Sequence, residues 1–166
     1  MKYRTYRYRL YPNEEQKVLI AKHLGSCRFI YNYALAKKVK AYQFDGPNLS
    51  RFDIQADLPN MKKSDEYCWL KEVNSLSLQA SLANLDSAYT KFFREHKGFP
   101  NFKSKKDSKQ SFSIPQNTKV DFENGRVFIP KFKIGIKAKL HRTFEGIVKS
   151  STITRASTGK YFISIL

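Results

Sequence analysis

Lys131, Lys133, Lys137 and Lys139 fall on one parity of residues 131–140, while Phe132, Ile134, Ile136, Ala138 and Leu140 fall on the other. In an extended strand this alternation predicts one apolar face and one row of ammonium groups. Successive lysines stand about 6.6 Å apart, a spacing that can follow a phosphate backbone. The same pattern also describes a solvated edge strand, on which lysine discourages edge-to-edge pairing. Arg7 and Arg9 repeat the theme near the N-terminus. Residues 97–110 add Lys97, Lys103, Lys105, Lys106 and Lys109, with Phe99 and Phe102 between them. Those two rings can either stack on unpaired bases or hold the loop in place.

Signals for bond-breaking chemistry are weak. His23, His96 and His141 are isolated, without the HxH or HExxH spacing of a metal site. Glu14 and Glu15 suit the start of a helix, Asp121 and Glu123 flank an Asn124-Gly125 turn, and no acidic pair presents a two-metal nuclease site. A GxxxxGK[ST] phosphate loop and a GxSxG elbow are absent. Cys27 and Cys68 lie 41 residues apart with no CxxC, which excludes zinc-ribbon spacing, and both are expected as buried, reduced thiols. No cofactor is expected in this chain.

The composition favours a polyanionic partner. Thirty-one Lys and Arg against 14 Asp and Glu leave a net charge of +17 on 166 residues, with a pI near 9.9. At 41% hydrophobic and 14% aromatic the chain can bury a core, in one domain or two small ones. No run approaches the roughly 18 apolar residues of a spanning helix, and the N-terminus lacks a signal-peptide core, so a cytoplasmic protein with no membrane partner is expected.

Several elements must position these residues. Residues 3–10 alternate as a half-buried strand with Tyr6, Tyr8 and Leu10 inward. Pro12 ends it, and Asn13 with Gln16 makes a capping box for a helix. Gly25 is expected to close that helix in the left-handed conformation. Ser26 then caps a second helix carrying Cys27, Ile30, Tyr31, Ala34 and Leu35, a pair that reads as a helix-turn-helix or as a simple packing hairpin. Residues 45–48 form a turn cluster and 49–65 read as loop and short helix. Leu78, Leu82, Leu85, Tyr89 and Phe92 mark a long amphipathic helix from Asn74-Ser75 onward, with Trp69 and Leu70 packed on its first turn. Strands are expected at 127–129, 132–140, 147–155 and 160–166, the last two pairing as a hairpin across 156–159. The fold class is therefore α+β: a small β-barrel interrupted by an inserted helical bundle. Residues 1–12 supply its first strand, 13–110 the insert ending in the basic loop at 97–110, and 111–166 the remaining strands.

Nearly the whole chain resembles a known family. The resemblance is carried by Tyr8-Arg9-Leu10-Tyr11-Pro12-Asn13-Glu14-Glu15-Gln16, Leu24-Gly25-Ser26-Cys27-Arg28-Phe29-Ile30-Tyr31-Asn32 and Trp69-Leu70-Lys71-Glu72-Val73. It continues through Leu85-Asp86-Ser87-Ala88-Tyr89, Gly98-Phe99-Pro100-Asn101-Phe102-Lys103-Ser104-Lys105 and Gly159-Lys160-Tyr161-Phe162-Ile163-Ser164. In this order and spacing they resemble the N-terminal part of the TnpB (OrfB) family. Its members are carried by bacterial insertion sequences and are similar to the type V CRISPR effectors in being RNA-guided DNA nucleases.

The resemblance implies a wedge-like barrel split by a helical recognition domain, with guide RNA and double-stranded DNA as partners. It implies DNA-motif contacts on Asn74, Ser75, Gln79, Ser111, Phe112 and Ser113. It implies guide-RNA contacts on Arg7, Arg9, Lys103, Lys105, Lys106, Lys131, Lys133, Lys137 and Lys139. In the family a RuvC-like domain with three carboxylates and a zinc ribbon come afterwards, whereas this sequence stops at Leu166. No cutting by these residues alone is expected, and a C-terminal nuclease half is an expected partner. The rival readings are a stand-alone DNA-binding repressor using residues 14–44 and a non-functional remnant of a truncated transposon gene.

Overall fold

The computed structural model describes residues 1–166, which divide into two compact units: residues 1–24 with 106–166, and residues 25–105.

The first unit is built on a seven-stranded, wholly antiparallel sheet of order β2-β6-β7-β1-β5-β4-β3. Its strands are β1 (Tyr6–Tyr11), β2 (Gln110–Ile114), β3 (Lys119–Asp121), β4 (Arg126–Phe128), β5 (Ile136–Lys139), β6 (Ser151–Arg155) and β7 (Tyr161–Ile165). The N-terminal strand joins the later strands, as the sequence predicts, and lies in the middle, pairing Tyr8 with Ile163 of β7 and Leu10 with Ala138 of β5. Alternation sends Tyr8, Leu10, Phe112, Ile114, Val127, Ile136, Ile153, Ile163 and Ile165 to one buried face. Each large aliphatic there contributes about 1.5–3 kcal/mol by leaving water.

The hairpin across 156–159 forms with Gly159 at φ 80°, closed by Ala156 N–H to the Lys160 carbonyl at 2.8 Å. A second hairpin turns at Asn124-Gly125, where Asp121 accepts from the Asn124 backbone (3.1 Å) and side chain (2.8 Å). The expected closed barrel does not form: the sheet is open, with β2 and β3 as its edges. Closure needs staggered ladders all the way round, and β3 is three residues long and pairs only with β4.

Helix α1 (Glu14–Gln43) begins in this unit. Its predicted capping box is present: Asn13 N–H donates to Gln16 Oε1 at 3.0 Å, and Gln16 N–H to Asn13 Oδ1 at 2.8 Å. Gln16 Nε2 also reaches the carbonyls of Ile134 (3.2 Å) and Gly135 (3.4 Å), fixing the cap to the segment before β5. Here lies the main correction to the sequence reading. Gly25 does not end the helix and Ser26 does not start another, because α1 runs for 30 residues without a break. The reason is a buried stripe at 16, 20, 23, 24, 27, 30, 31, 34 and 35, which keeps helical period straight through Gly25. Its burial outweighs the roughly 1 kcal/mol that one helical glycine costs.

The second unit holds the rest of α1 with α2 (Arg51–Gln55), α3 (Leu58–Lys63), a 3-10 turn over Cys68–Glu72 and α4 (Ser75–Glu95). Ser50 and Asp53 form a capping box for α2, and Asn74 caps α4 by accepting from Leu76 N–H at 3.4 Å. Leu78, Leu82 and Leu85 are buried along α4 as their spacing predicts, among Ile30, Leu35, Ile54 and Leu70. His96 ends α4 in the left-handed conformation, and the basic loop follows. Trp69 rests edge-on against Phe29 of α1 (5.1 Å), with its indole N–H on the Glu66 carbonyl, and Leu70 is fully buried. One expectation fails here. Cys27 is buried, but Cys68 is exposed, since the 3-10 turn spends its one buried position on Leu70.

Candidate nucleic-acid interface

The sheet face opposite the core gathers cations from four strands. In β1, the residues that alternate with the buried Tyr8 and Leu10 are Arg7, Arg9 and Tyr11. Register carries that face sideways. Arg7 lies opposite Ser164, Arg9 opposite both Phe162 and Lys139, Tyr11 opposite Lys137, and Lys137 opposite Arg126. Toward one edge it continues as Phe128 and Lys119, and toward the other as Thr152, Thr154, Ser111 and Ser113. The face thus holds six cations, two hydroxyl-rich strands and a central ring. Asp121 is the one carboxylate among its strand positions, and it is engaged by Asn124.

Geometry ties the cations to the rings. The Arg7 guanidinium lies 4.1 Å from the Phe162 centroid, and Arg9 lies 5.0 Å from Tyr11 and 5.7 Å from Phe162. Such contacts contribute about 0.5–1 kcal/mol each at exposed sites and hold the guanidinium planes over the sheet. Two directly opposed pairs, Arg9 with Lys139 and Arg126 with Lys137, set like charges against each other across neighbouring strands, and Arg126 has Asp121 opposite it on its other side. For Arg9 and Lys139, which face no carboxylate in the sheet, the arrangement is destabilising unless an anion lies over it. Arg9 Nε is also buried without a hydrogen-bond partner. Together these features form a site suited to phosphates, with an aromatic surface between them.

The structure distributes the predicted residues unevenly. Arg7, Arg9, Lys137 and Lys139 come together on this face. Lys131 and Lys133 do not join the row, because Pro130 and a left-handed Lys131 (φ 73°) open a turn that delays β5 to Ile136. Ile134, expected inward, is therefore 63% exposed. Gly135 lies against the Phe128 ring, where an added Cβ would stand 2.9 Å from Cζ. Lys106 is exposed at the start of the sheet unit's second segment. Lys103 and Lys105 belong to the helical unit. There Asn32 grips the Lys103 backbone through both its N–H (2.8 Å) and its carbonyl (2.9 Å), and the ammonium lies 4.3 Å from the Tyr31 centroid.

Of the six DNA-motif positions, Ser111 and Ser113 lie on the sheet face, but Phe112 is turned away. It is 3% exposed and stacked on His23 at 4.9 Å, because strand alternation sends it to the core. Asn74 is engaged as the α4 cap and bonds Ser77 Oγ, Ser75 accepts from Lys62 at 2.6 Å, and Gln79 is half-buried one turn on. Phe99 holds the basic loop against Tyr89 and Phe92, whereas Phe102 stays 59% exposed. Sequence reasoning missed Tyr11, Lys119, Arg126 and Phe162. Their signal was the cross-strand register, which no single strand displays.

Two buried titratable groups sit beneath these surfaces. Burial pulls the His23 imidazole below its usual range, aided by Lys131 and opposed by the Leu19 carbonyl that faces Nδ1 at 2.8 Å. Burial pushes the Cys27 thiol up to about 11, which keeps it protonated and unreactive. No group of three or more His, Cys, Asp or Glu converges on a point where a metal ion could be held.

Comparison with known proteins adds a separate line of support. A family model described as a helix-turn-helix domain, of the OrfB type, matches residues 1–46. The chain is 34% identical over 161 residues to the "Putative RNA-guided DNA endonuclease InsQ" of Escherichia coli K12, covering 97% of this chain and 39% of that protein. It is 29% identical over 165 residues to a protein of the same designation, without the suffix, from Streptomyces pristinaespiralis, covering 98% and 41%. It is 37% identical over 105 residues to the virulence protein VsdF of Salmonella dublin, covering 58% of this chain and 88% of that protein. The chain thus spans about two fifths of the length of the first two relatives. In the region that the family model matches, the fold is one strand and one unbroken helix, so no second helix stands ready to enter a groove.

Proposed function

The chain belongs to the OrfB (TnpB) family, matching an N-terminal part of it, and from this premise we propose that residues 1–166 are the nucleic-acid-binding portion of a transposon-associated RNA-guided DNA nuclease. In this reading the sheet unit holds structured RNA on Arg7, Arg9, Arg126, Lys137 and Lys139. The helical unit contributes to reading a short DNA motif through Gln79. Strand cleavage is carried by parts of the relatives that lie outside the aligned two fifths.

The observation that carries the RNA assignment is the like-charge Arg9–Lys139 pair beside Phe162, which no carboxylate offsets. Phosphate contacts of this kind fix position and say little about sequence. Base identity has to be read by a side chain with a directional donor and acceptor, and the Gln79 amide can pair with adenine N6 and N7. The test is to purify the protein, sequence whatever nucleic acid accompanies it, and titrate that RNA at several salt concentrations. With about six phosphates neutralised, log K falls against log salt with a slope of roughly −4 to −5. Copurification of duplex DNA without RNA would favour the repressor reading instead, and a flat salt response would count against phosphate binding of either kind. Gln79→Ala is expected to lower affinity for the preferred DNA motif by about 1–3 kcal/mol and to leave scrambled DNA unchanged.

A further inference from the structure

Within the helical unit, the last turns of α1, the 44–49 segment and the last turns of α4 enclose a groove of about 860 Å³ that the reading above does not use. Lys38, Tyr42, Asp86, Tyr89, Phe93 and Arg94 line it. Its floor is a packed set of rings. Tyr89 and Phe93 are stacked at 6.2 Å and 20°, and Phe99 meets Tyr89 edge-on at 5.6 Å. Yet Phe93 is 68% exposed and Tyr42 is 87% exposed. Phe93 also meets Phe92 edge-on at 5.0 Å, and its exposure leaves ring surface for a further ring.

Charge narrows the occupant. Asp86 is neutralised by Lys38 at 3.5 Å and Arg51 at 3.7 Å, and Lys38 also lies 4.8 Å from the Tyr89 centroid. The segments 38–51 and 86–97 carry Lys38, Lys40, Arg51, Lys91, Arg94 and Lys97 against Asp45, Asp86 and Glu95, so cations prevail two to one. An apolar partner helix would gain from the rings and nothing from that excess. A nucleotide gains from both, having an apolar base face and an anionic backbone.

We propose that this groove takes one unstacked base of a single-stranded nucleic-acid segment, extending the Tyr89–Phe93 stack, with the flanking phosphates on Arg94 and the neighbouring lysines. The proposal rests on the nucleic-acid-binding reading and adds to it a second, sequence-tolerant contact remote in the chain from the sheet strands.

The test uses the full chain and a single-stranded RNA of about 12 nucleotides, in one version with 2-aminopurine at alternate positions and in another with abasic sites there. The unmodified protein is expected to quench 2-aminopurine emission and to bind the abasic strand more weakly. Phe93→Ala combined with Tyr42→Ala is expected to abolish quenching and to weaken binding of the intact strand about 5-fold or more, with the salt slope unchanged. Phe93→Trp is expected to restore both. Full affinity and quenching in the double variant, or equal affinity for the abasic strand, would overturn the groove and leave the parent reading standing. Failure of the unmodified protein to bind either strand would overturn the groove, while the parent reading stands or falls by the titration of the copurified RNA.

Discussion

Arg9 and Lys139 stand directly opposite each other on adjacent antiparallel strands, with Phe162 on the far side of Arg9 and no carboxylate paired to either side chain. In the free protein this contact is repulsive, and with an anion over the face it becomes a binding element. Lys139→Thr should therefore stabilise the free protein by about 0.2–1 kcal/mol at low salt, with the gain shrinking as salt screens it. The same substitution should reduce the salt slope of RNA binding by about 0.7–0.9. Thermal melts and binding titrations across a salt series check both, and a lower melting temperature at low salt would count against the pairing.

Gly25→Ala distinguishes the continuous helix from a helix-turn-helix. The φ of Gly25 lies outside the left-handed region, and an added Cβ would meet only Arg28 Nη2 at 3.7 Å. The substitution should stabilise the protein by about 0.5–1 kcal/mol. Loss of stability in a chemical melt would reinstate a turn at this position.

His23 should make the protein acid-sensitive. Its folded-state pKa is depressed, chiefly by burial, so below the unfolded value of about 6.5 the unfolded chain binds the extra proton. Stability is then full above about pH 6.5 and falls as pH drops toward the folded value, since the unfolded state gains protons that the folded state refuses. Melting temperatures between about pH 7.5 and 5 should decline, and His23→Leu should decline less over the same range. Parallel slopes for the two proteins would remove His23 as the cause.

Leu82, 1% exposed on α4, tests the helical core. Leu82→Ala should cost about 2–5 kcal/mol through lost burial and the cavity left behind. A shift of less than 1 kcal/mol in a denaturant melt would mean that this helix face is less tightly packed than its burial implies.

Local chemistry made much of this legible in the chain. The Asn13/Gln16 box, the α4 stripe through Leu78, Leu82 and Leu85, the Tyr8/Leu10 parity and the 156–159 hairpin each depend on residues a few positions apart. The misreadings share one origin. Gly25-Ser26 has the local chemistry of a turn, and only the longer stripe from Gln16 to Leu35 overrides it. Lys131 to Leu140 has the parity of one long strand, and only the tertiary contacts of Gly135 with Phe128 and of Gln16 with Ile134 and Gly135 show why the strand starts late. The resemblance put Phe112 with Ser111 and Ser113, whereas strand alternation separates it from both. The Arg9–Lys139 pair was out of reach because it exists only between strands that are more than 120 residues apart in the chain.

The central place of β1 bears on how the protein is made. Tyr6 pairs with Ile165, so β1 leaves the ribosome long before its partner in β7. At about 5–20 residues per second, that partner appears roughly 8–30 s later. Residues 25–105, by contrast, are contiguous and mostly helical, and can fold as soon as they emerge. Synthesis therefore leaves an unpaired, arginine-rich strand waiting beside a finished helical unit, and the cell must shield that strand or supply it early with a polyanion.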